Sequence, residues 1–175
     1  MEVYKLTTYQ ADSIAGYIID YCRVENYEIN NLKLQKLLYY AQAKFLVEKS
    51  RPLFKENIEK WKLGPVVPEI YRLYKNYGAK NIHSAEERLE IIFNKEGGFK
   101  FENIKLEKIK SEDKQLLNLV IDKFAPFNPF DLVNMTHAHE IWKKDEKKIQ
   151  DGETHLQYTI DEIREFFTNN PKELV

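Results

Sequence analysis

Asn31-Leu-Lys-Leu-Gln-Lys-Leu-Leu-Tyr-Tyr-Ala-Gln-Ala-Lys-Phe-Leu-Val47 is the stretch that decides the fold. Its apolar residues form a stripe at helical spacing and also occupy much of the remaining circumference. A helix that is apolar nearly all round lies in the protein interior, so we expect this to be the central helix. Asn30 or Asn31 is the expected N-cap, and the helix should run to about Lys49. The least apolar stripe is expected to reach the surface and consists of Lys33, Lys36, Tyr40 and Lys44.

Helix signals recur on both sides of this stretch. Thr7-x-x-Gln10 and Thr159-x-x-Glu162 match the capping box, which predicts one helix near each end of the chain. Ser111 is expected to cap a helix through Phe124, and Asn128-Pro129 is expected to open the next one. In the terminal helix we expect four residues to pack inward: Ile160, Ile163, Phe166 and Phe167.

Short strands are predicted between the helices. The alternation from Ile58 to Leu63 favours an extended segment, and the following Gly64-Pro-Val-Val-Pro68 favours a stiff loop that leads into a helix with Pro68 in its first turn. Residues 80–110 resemble a variable insertion that contains a small hairpin. The predicted fold class is therefore mainly α: a compact single-domain helical bundle, spanning residues 1–175, with one or two short β-strand pairs.

Composition excludes several classes of protein. The chain has 175 residues and a formal net charge of −1, which argues against a dedicated nucleic-acid-binding protein. No apolar run approaches the roughly 18 residues that a bilayer span requires, and no secretory signal is visible, so we expect a cytoplasmic location without a membrane partner. The 11 tyrosines favour protein interfaces, because each has an apolar body and a polar tip.

The candidates for chemistry are few. His137-x-His139-Glu140 contains metal-ligating residue types, but positions i and i+2 do not share a helical face, so no metal and no cofactor is predicted. The single cysteine, Cys22, falls on an apolar helical stripe, where a thiolate is disfavoured. A small hydrolase that uses Cys22 or the histidines is the alternative from a different functional class, and a basic nucleic-acid face is a third.

Four phrases together resemble a known family. They are Ala11-Asp-Ser-Ile-Ala15, Leu32-Lys-Leu-Gln-Lys-Leu-Leu-Tyr-Tyr-Ala41, Trp61-Lys-Leu-Gly-Pro-Val-Val-Pro-Glu-Ile-Tyr71 and Thr136-His-Ala-His-Glu-Ile-Trp142. In this order they resemble the Panacea domain, also called the SocA-like antitoxin or phage-associated GepA-like domain, over about residues 11–167. Ile141 departs from the family, whose members often place proline before the tryptophan.

The resemblance implies a non-enzymatic antitoxin that neutralises a genetically linked toxin by direct binding. An alternative within the family is an adaptor that delivers its toxin to an AAA+ protease, and a chaperone is a further possible partner. The partner-binding candidates are Lys33, Lys36, Tyr40, Lys44, Trp61, Gly64, Pro65, Val66 and Tyr71. The motif residues expected to have structural roles are Leu34, Gln35, Leu37, Thr136, His137 and Trp142.

Overall fold

A computed structural model describes residues 8–85, 89–93, 97–103 and 105–174 of the chain. The described residues form eight α-helices, five short strands and two 3₁₀ turns. The helices are α1 (Ala11–Val24), α2 (Asn31–Glu48), α3 (Pro68–Tyr74), α4 (Ser111–Phe124), α5 (Pro129–Ala138), α6 (Glu140–Lys143), α7 (Glu146–Gln150) and α8 (Ile160–Asn169). The strands are β1 (Ile58–Trp61), β2 (Gly64–Val66), β3 (Leu89–Phe93), β4 (Phe99–Asn103) and β5 (Gln157–Tyr158). The mainly α prediction is confirmed.

Helix α2 is the centre of the molecule, as its all-round apolar character predicts. It packs against α1, α4, α5 and α8, and its capping residue is Asn30, whose side chain accepts a hydrogen bond from the Lys33 amide at 2.9 Å. Leu34 and Leu37 are completely buried. Because other helices cover α2 on several sides, little of its surface remains for solvent.

The prediction that the lysine–tyrosine stripe of α2 reaches the surface is wrong. Lys33, Lys36, Tyr40 and Lys44 are 5%, 0%, 0% and 6% exposed. The lysine stems lie along apolar neighbours, and each ammonium finds an oxygen, such as the Glu28 and Ala125 carbonyls that accept from Lys33 at 2.8 Å. The Tyr40 ring stacks on Phe124 with 3.8 Å between ring centroids. These side chains belong to the core.

Helix α1 begins later than predicted. Its N-cap is Gln10 without a side-chain cap, and Thr7 lies outside the described residues. Glu56 caps the helix from a distance, since its carboxylate accepts from the Ala11 amide at 3.0 Å. A carboxylate near the positive end of a helix stabilises the helix. Glu56, which is 45 residues away in the sequence, therefore provides the cap that Thr7-x-x-Gln10 was expected to provide.

The other predicted helix starts are close to the observed ones. Asn128 caps α5, and Thr159 with Glu162 forms the predicted capping box of α8. Ser111 is the first residue of α4 rather than its cap, which is Lys110. Ile160 is 37% exposed, so its predicted inward packing is wrong, whereas Ile163 and Phe167 are buried.

Two small antiparallel sheets complete the fold. The first has the strand order β2-β1-β5, with Trp61 opposite Gly64 and Ile58 opposite Tyr158. The second is the predicted hairpin of β3 and β4, whose turn residues 94–96 lie outside the described residues. The first sheet holds the Gly64–Pro68 loop against the start of α2 and therefore positions the site below.

Candidate partner-binding groove

The Gly64–Pro68 loop is fixed by side chains of α2. The amide oxygen of Gln35 accepts from the Val67 backbone at 2.9 Å, while its nitrogen donates to the Asn31 side chain at 2.9 Å. The ammonium of Lys36 donates to the Pro65 carbonyl at 3.2 Å. Since Gln35 and Lys36 are buried, these bonds are shielded from water and the loop is pre-organised.

Gly64 is the point of closest approach within this arrangement. Its φ of 92° lies in the left-handed region that favours glycine. A Cβ at this position would lie 2.6 Å from Thr136 Oγ1 and 3.1 Å from Lys36 Cε. Thr136 is itself held by donating to the Val133 carbonyl at 3.0 Å. Only glycine allows α2, β2 and α5 to meet here.

His137 and Trp142 support the same hairpin from behind. Their rings stack with centroids 3.8 Å apart, and Trp142 Nε1 donates to the Trp61 carbonyl at 3.1 Å. Burial, together with the nearby Lys36 charge, lowers the pKa of His137, despite a hydrogen bond with the Lys62 backbone. A neutral His137 at pH 7 fits a structural role, and Trp142 is only 1% exposed.

Lys36 is a completely buried cation beneath the loop. Burial lowers its pKa to about 7, and none of the described carboxylates offsets this effect. Within the described part of the chain, one hydrogen bond, to the Pro65 carbonyl, stands in for the water shell that the ammonium loses on folding, and it offsets only part of that loss. The sequence singled out Lys36 as a surface cation, but the structure makes it part of the support of the loop.

In front of the hairpin lies a groove with a volume of about 730 Å³. Its walls come from the first turn of α2, the β1–β2 hairpin, α3 with the residues that follow it to Ala79, the start of α5, and residues 149–155. The large apolar lining residues are Leu32, Trp61, Leu63, Val66, Tyr71, Phe130 and Ile149. Trp61 and Tyr71 meet edge to face with centroids 4.9 Å apart. We call this feature the Trp61–Tyr71 groove.

Two of the charged residues that line the groove are paired with other side chains. Glu59 accepts from Trp61 Nε1 at 2.7 Å and lies 3.2 Å from His155 Nδ1. Lys60 donates to Asp145 at 2.8 Å and to Glu162 at 3.1 Å. Glu59 therefore orients the indole of Trp61, and Lys60 fixes β1 to α8.

Three exposed charged residues of the groove lining have no ion-pair partner among the residues that the structure describes. Lys62, Lys75 and Glu153 line the groove, and their side chains form no ion pair with any described residue. Two free ammonium groups against one free carboxylate leave the rim with an excess of positive charge. The groove thus combines an apolar floor, an oriented aromatic pair and a weakly cationic rim.

The predicted partner-binding residues fall into two groups, one at the groove and one in the core. Trp61, Val66 and Tyr71 line the groove, while Gly64 and Pro65 shape the wall behind it. Lys33, Tyr40 and Lys44 are buried elsewhere in the core. Sequence reasoning missed Leu32, Phe130 and the 152–155 loop. The sequence signal for Phe130 was an aromatic residue directly after Pro129, in the first turn of a predicted helix; the structure leaves this side chain 61% exposed.

Two of the residues considered for catalysis or metal binding, His139 and Cys22, are buried. His139 is buried, lies 3.0 Å from the Tyr39 hydroxyl through Nδ1, and has its pKa lowered to about 4 by burial. Burial raises the pKa of Cys22 to about 12, so its thiol stays protonated at pH 7. Among the described residues, no three metal-ligating side chains come together. In that part of the chain, no helix is both long and apolar enough for a bilayer crossing.

Comparisons with known proteins agree with the sequence motifs. The family model described as antitoxin SocA-like, Panacea domain, matches residues 34–143, which is more than half of the chain. Antitoxin SocA of Caulobacter vibrioides (strain NA1000 / CB15N) is 40% identical over 82 residues, which cover 47% of this chain and 44% of that protein. The chain thus matches less than half of that relative's length. No solved structure gives a significant match.

Proposed function

The chain belongs to the SocA-like, Panacea-domain family of antitoxins, and on that premise we propose that it neutralises a toxin encoded beside its own gene by binding it directly. The observation that carries the proposal is the Trp61–Tyr71 groove. Tryptophan and tyrosine in a partly enclosed apolar setting are the residue types that dominate binding energy at protein interfaces. The groove contains both, in contact with each other.

Rigidity of the groove wall supports the same role. The Gly64–Pro68 loop is held by Gln35 and Lys36, and the hairpin is held from behind by Trp142. A surface that is already ordered loses little conformational entropy when a partner binds, so more of the contact energy appears as affinity. Gln35, Lys36 and Trp142, which belong to the phrases that resemble the family, support the wall of the proposed interface in this proposal.

Binding rather than catalysis is the proposed activity. Glu59 and Lys60, the least exposed charged residues of the described groove lining, are engaged by other side chains, and Cys22 is buried in the core. An adaptor role, with delivery of the toxin to an AAA+ protease, remains the alternative mechanism within the family. The two mechanisms differ in what happens to the toxin.

Coexpression tests the proposal. The toxin gene that neighbours this one is induced with the parent chain, and with a Trp61→Ala, Tyr71→Ala double variant whose melting temperature is checked. We expect the parent to restore growth and to co-purify with intact toxin, and the double variant to do neither. Absence of rescue, with both proteins soluble, contradicts the antitoxin proposal. Rescue with loss of toxin that depends on a cellular protease supports the adaptor mechanism instead.

A further inference from the structure

The size of the Trp61–Tyr71 groove limits what it can hold. A volume of about 730 Å³ lies within the range of clefts that enclose one small ligand or a few side chains. It is too small to receive a folded domain. A protein partner must therefore enter the groove with a short projecting segment, while the rest of the partner lies outside.

The floor of the groove sets the chemistry of that segment's centre. Trp61 and Tyr71 present an aromatic corner, and Leu63 and Phe130, which are 46% and 61% exposed, extend the apolar surface. An aliphatic or aromatic side chain gains most from desolvation at such a corner. A polar anchor would find Glu59 and Lys60 already bonded to other side chains.

The rim sets the charge on either side of the anchor. Lys62 and Lys75 are exposed, line the groove and have no carboxylate partner among the described residues, whereas Glu153 is the one unpaired acid of the lining in that part of the chain. The first turn of α2 also lines the groove, so the N-terminal end of an 18-residue helix, which carries a partial positive charge, borders it. The electrostatic potential at this surface favours an acidic partner.

From these observations we infer that the groove takes up a short segment of the toxin in which an aromatic or aliphatic anchor is flanked by Asp or Glu. The inference rests on the proposed function and adds the chemistry of the occupant to it. The anchor lies against Trp61 and Tyr71, and the flanking carboxylates lie near Lys62 and Lys75. Because the lysines are at the exposed rim, they act mainly on the association rate and on partner choice.

Charge reversal at the rim tests this inference. Lys62→Glu with Lys75→Glu is compared with the matched control Lys143→Glu with Lys172→Glu, in which two exposed lysines outside the groove lining are changed. Binding of the linked toxin is measured by biolayer interferometry at low and high salt. We expect the rim variant to bind roughly 10- to 100-fold more weakly and to lose most of the salt dependence of the parent, and the control to bind like the parent.

A peptide array identifies the occupant directly. Overlapping synthetic peptides that tile the toxin sequence are tested for displacement of toxin from the immobilised chain. We expect the strongest competitor to carry an apolar or aromatic centre with flanking acids, and to lose competition when those acids become lysine. A basic or uncharged best competitor, or displacement by none of the peptides, overturns the inference. So does a rim variant that binds like the parent, or a groove closed by a second copy of the chain in solution.

The outcomes distinguish failure of the proposed function from failure of the inference about the segment that the groove binds. If the parent chain forms no complex with the toxin, the proposed function itself fails. If the complex forms but neither the rim lysines nor any acidic peptide affects it, the function stands and the inference about the occupant is wrong. Melting temperatures within a few degrees of the parent are required of every variant.

Discussion

Replacing Lys36 with methionine is expected to stabilise the protein at neutral and acidic pH. The side chain is completely buried, and its ammonium has one hydrogen bond, to the Pro65 carbonyl at 3.2 Å. Methionine has a similar length and fills irregular apolar space well. The substitution thus removes a buried charge while it keeps most of the packing.

The magnitude follows from the pKa shift. Burial lowers the pKa of Lys36 from 10.5 to about 7, and at 1.36 kcal/mol per unit this corresponds to a penalty of about 5 kcal/mol while the amine is protonated in both states. Loss of the bond to Pro65 leaves a carbonyl unsatisfied and costs about 1–3 kcal/mol. The net gain expected for Lys36→Met is therefore about 2–4 kcal/mol at pH 7 and below.

The pH dependence gives the sharper test. Between pH 7 and 10.5 the unfolded chain keeps the proton on Lys36 and the folded chain releases it, so the stability of the parent rises with pH in this window. Methionine does not titrate, so the advantage of the variant should shrink by about 2 kcal/mol between pH 7 and pH 9. Groups that do not sense the Lys36 charge contribute equally to both proteins and cancel in the difference. His137 does sense that charge, which helps to lower its pKa, so the comparison is made at pH 7 and above, where the His137 imidazole of the folded parent is neutral.

Urea denaturation at both pH values, followed by circular dichroism, measures the two free energies of unfolding. A variant that is less stable than the parent at pH 7, or an advantage that stays constant to pH 9, would contradict the expected cost of the buried ammonium. Either result would mean that the buried ammonium has a compensating partner.

Three other predictions concern the support of the fold. Gly64→Ala should lower the free energy of unfolding, measured by urea denaturation, by roughly 2–4 kcal/mol more than Gly152→Ala does. Both residues have φ above 90°, but of these two glycines only Gly64 has described atoms within 4 Å of the added Cβ. Equal losses would contradict the close packing at Gly64. Cys22 should react with a thiol reagent at pH 7 only when the protein unfolds, because its thiol is buried and has a pKa of about 12. Rapid labelling of the native protein would show that the thiol is not buried in α1. Thr159→Ala should lower the free energy of unfolding by about 1 kcal/mol, because the capping bond to Glu162 is lost, and Thr159→Ser should keep most of that stability. Equal stability of the two variants would show that this cap does not stabilise α8.

Local signals in the sequence predict much of the fold. The apolar circumference of the second helix is a property of its own residues, so its central position could be inferred without knowledge of its neighbours. Asn30, Asn128 and Thr159 cap their helices through bonds that span only two or three residues. Such contacts are decided within one turn of helix, which is the range over which sequence patterns are informative.

Contacts between distant residues account for the errors. The start of α1 depends on the Glu56 carboxylate, and burial of Lys33 depends on carbonyls of Glu28 and Ala125, which no helical pattern reveals. For the same reason, sequence patterns point to only some of the residues that line the Trp61–Tyr71 groove. Its walls come from five separate segments of the chain, so only those residues next to the Gly64–Pro68 loop could be anticipated.

Hydrogen exchange on the complex with the linked toxin is the most direct test of the central claim that the Trp61–Tyr71 groove is the toxin-binding surface. Exchange is compared for the free chain and for the purified complex. We expect new protection in residues 58–75 and 152–155, and we expect the exposed strand β4 (Phe99–Asn103) to exchange as in the free chain. Protection confined to other segments, with residues 58–75 and 152–155 exchanging at their free rates in the complex, would contradict this claim.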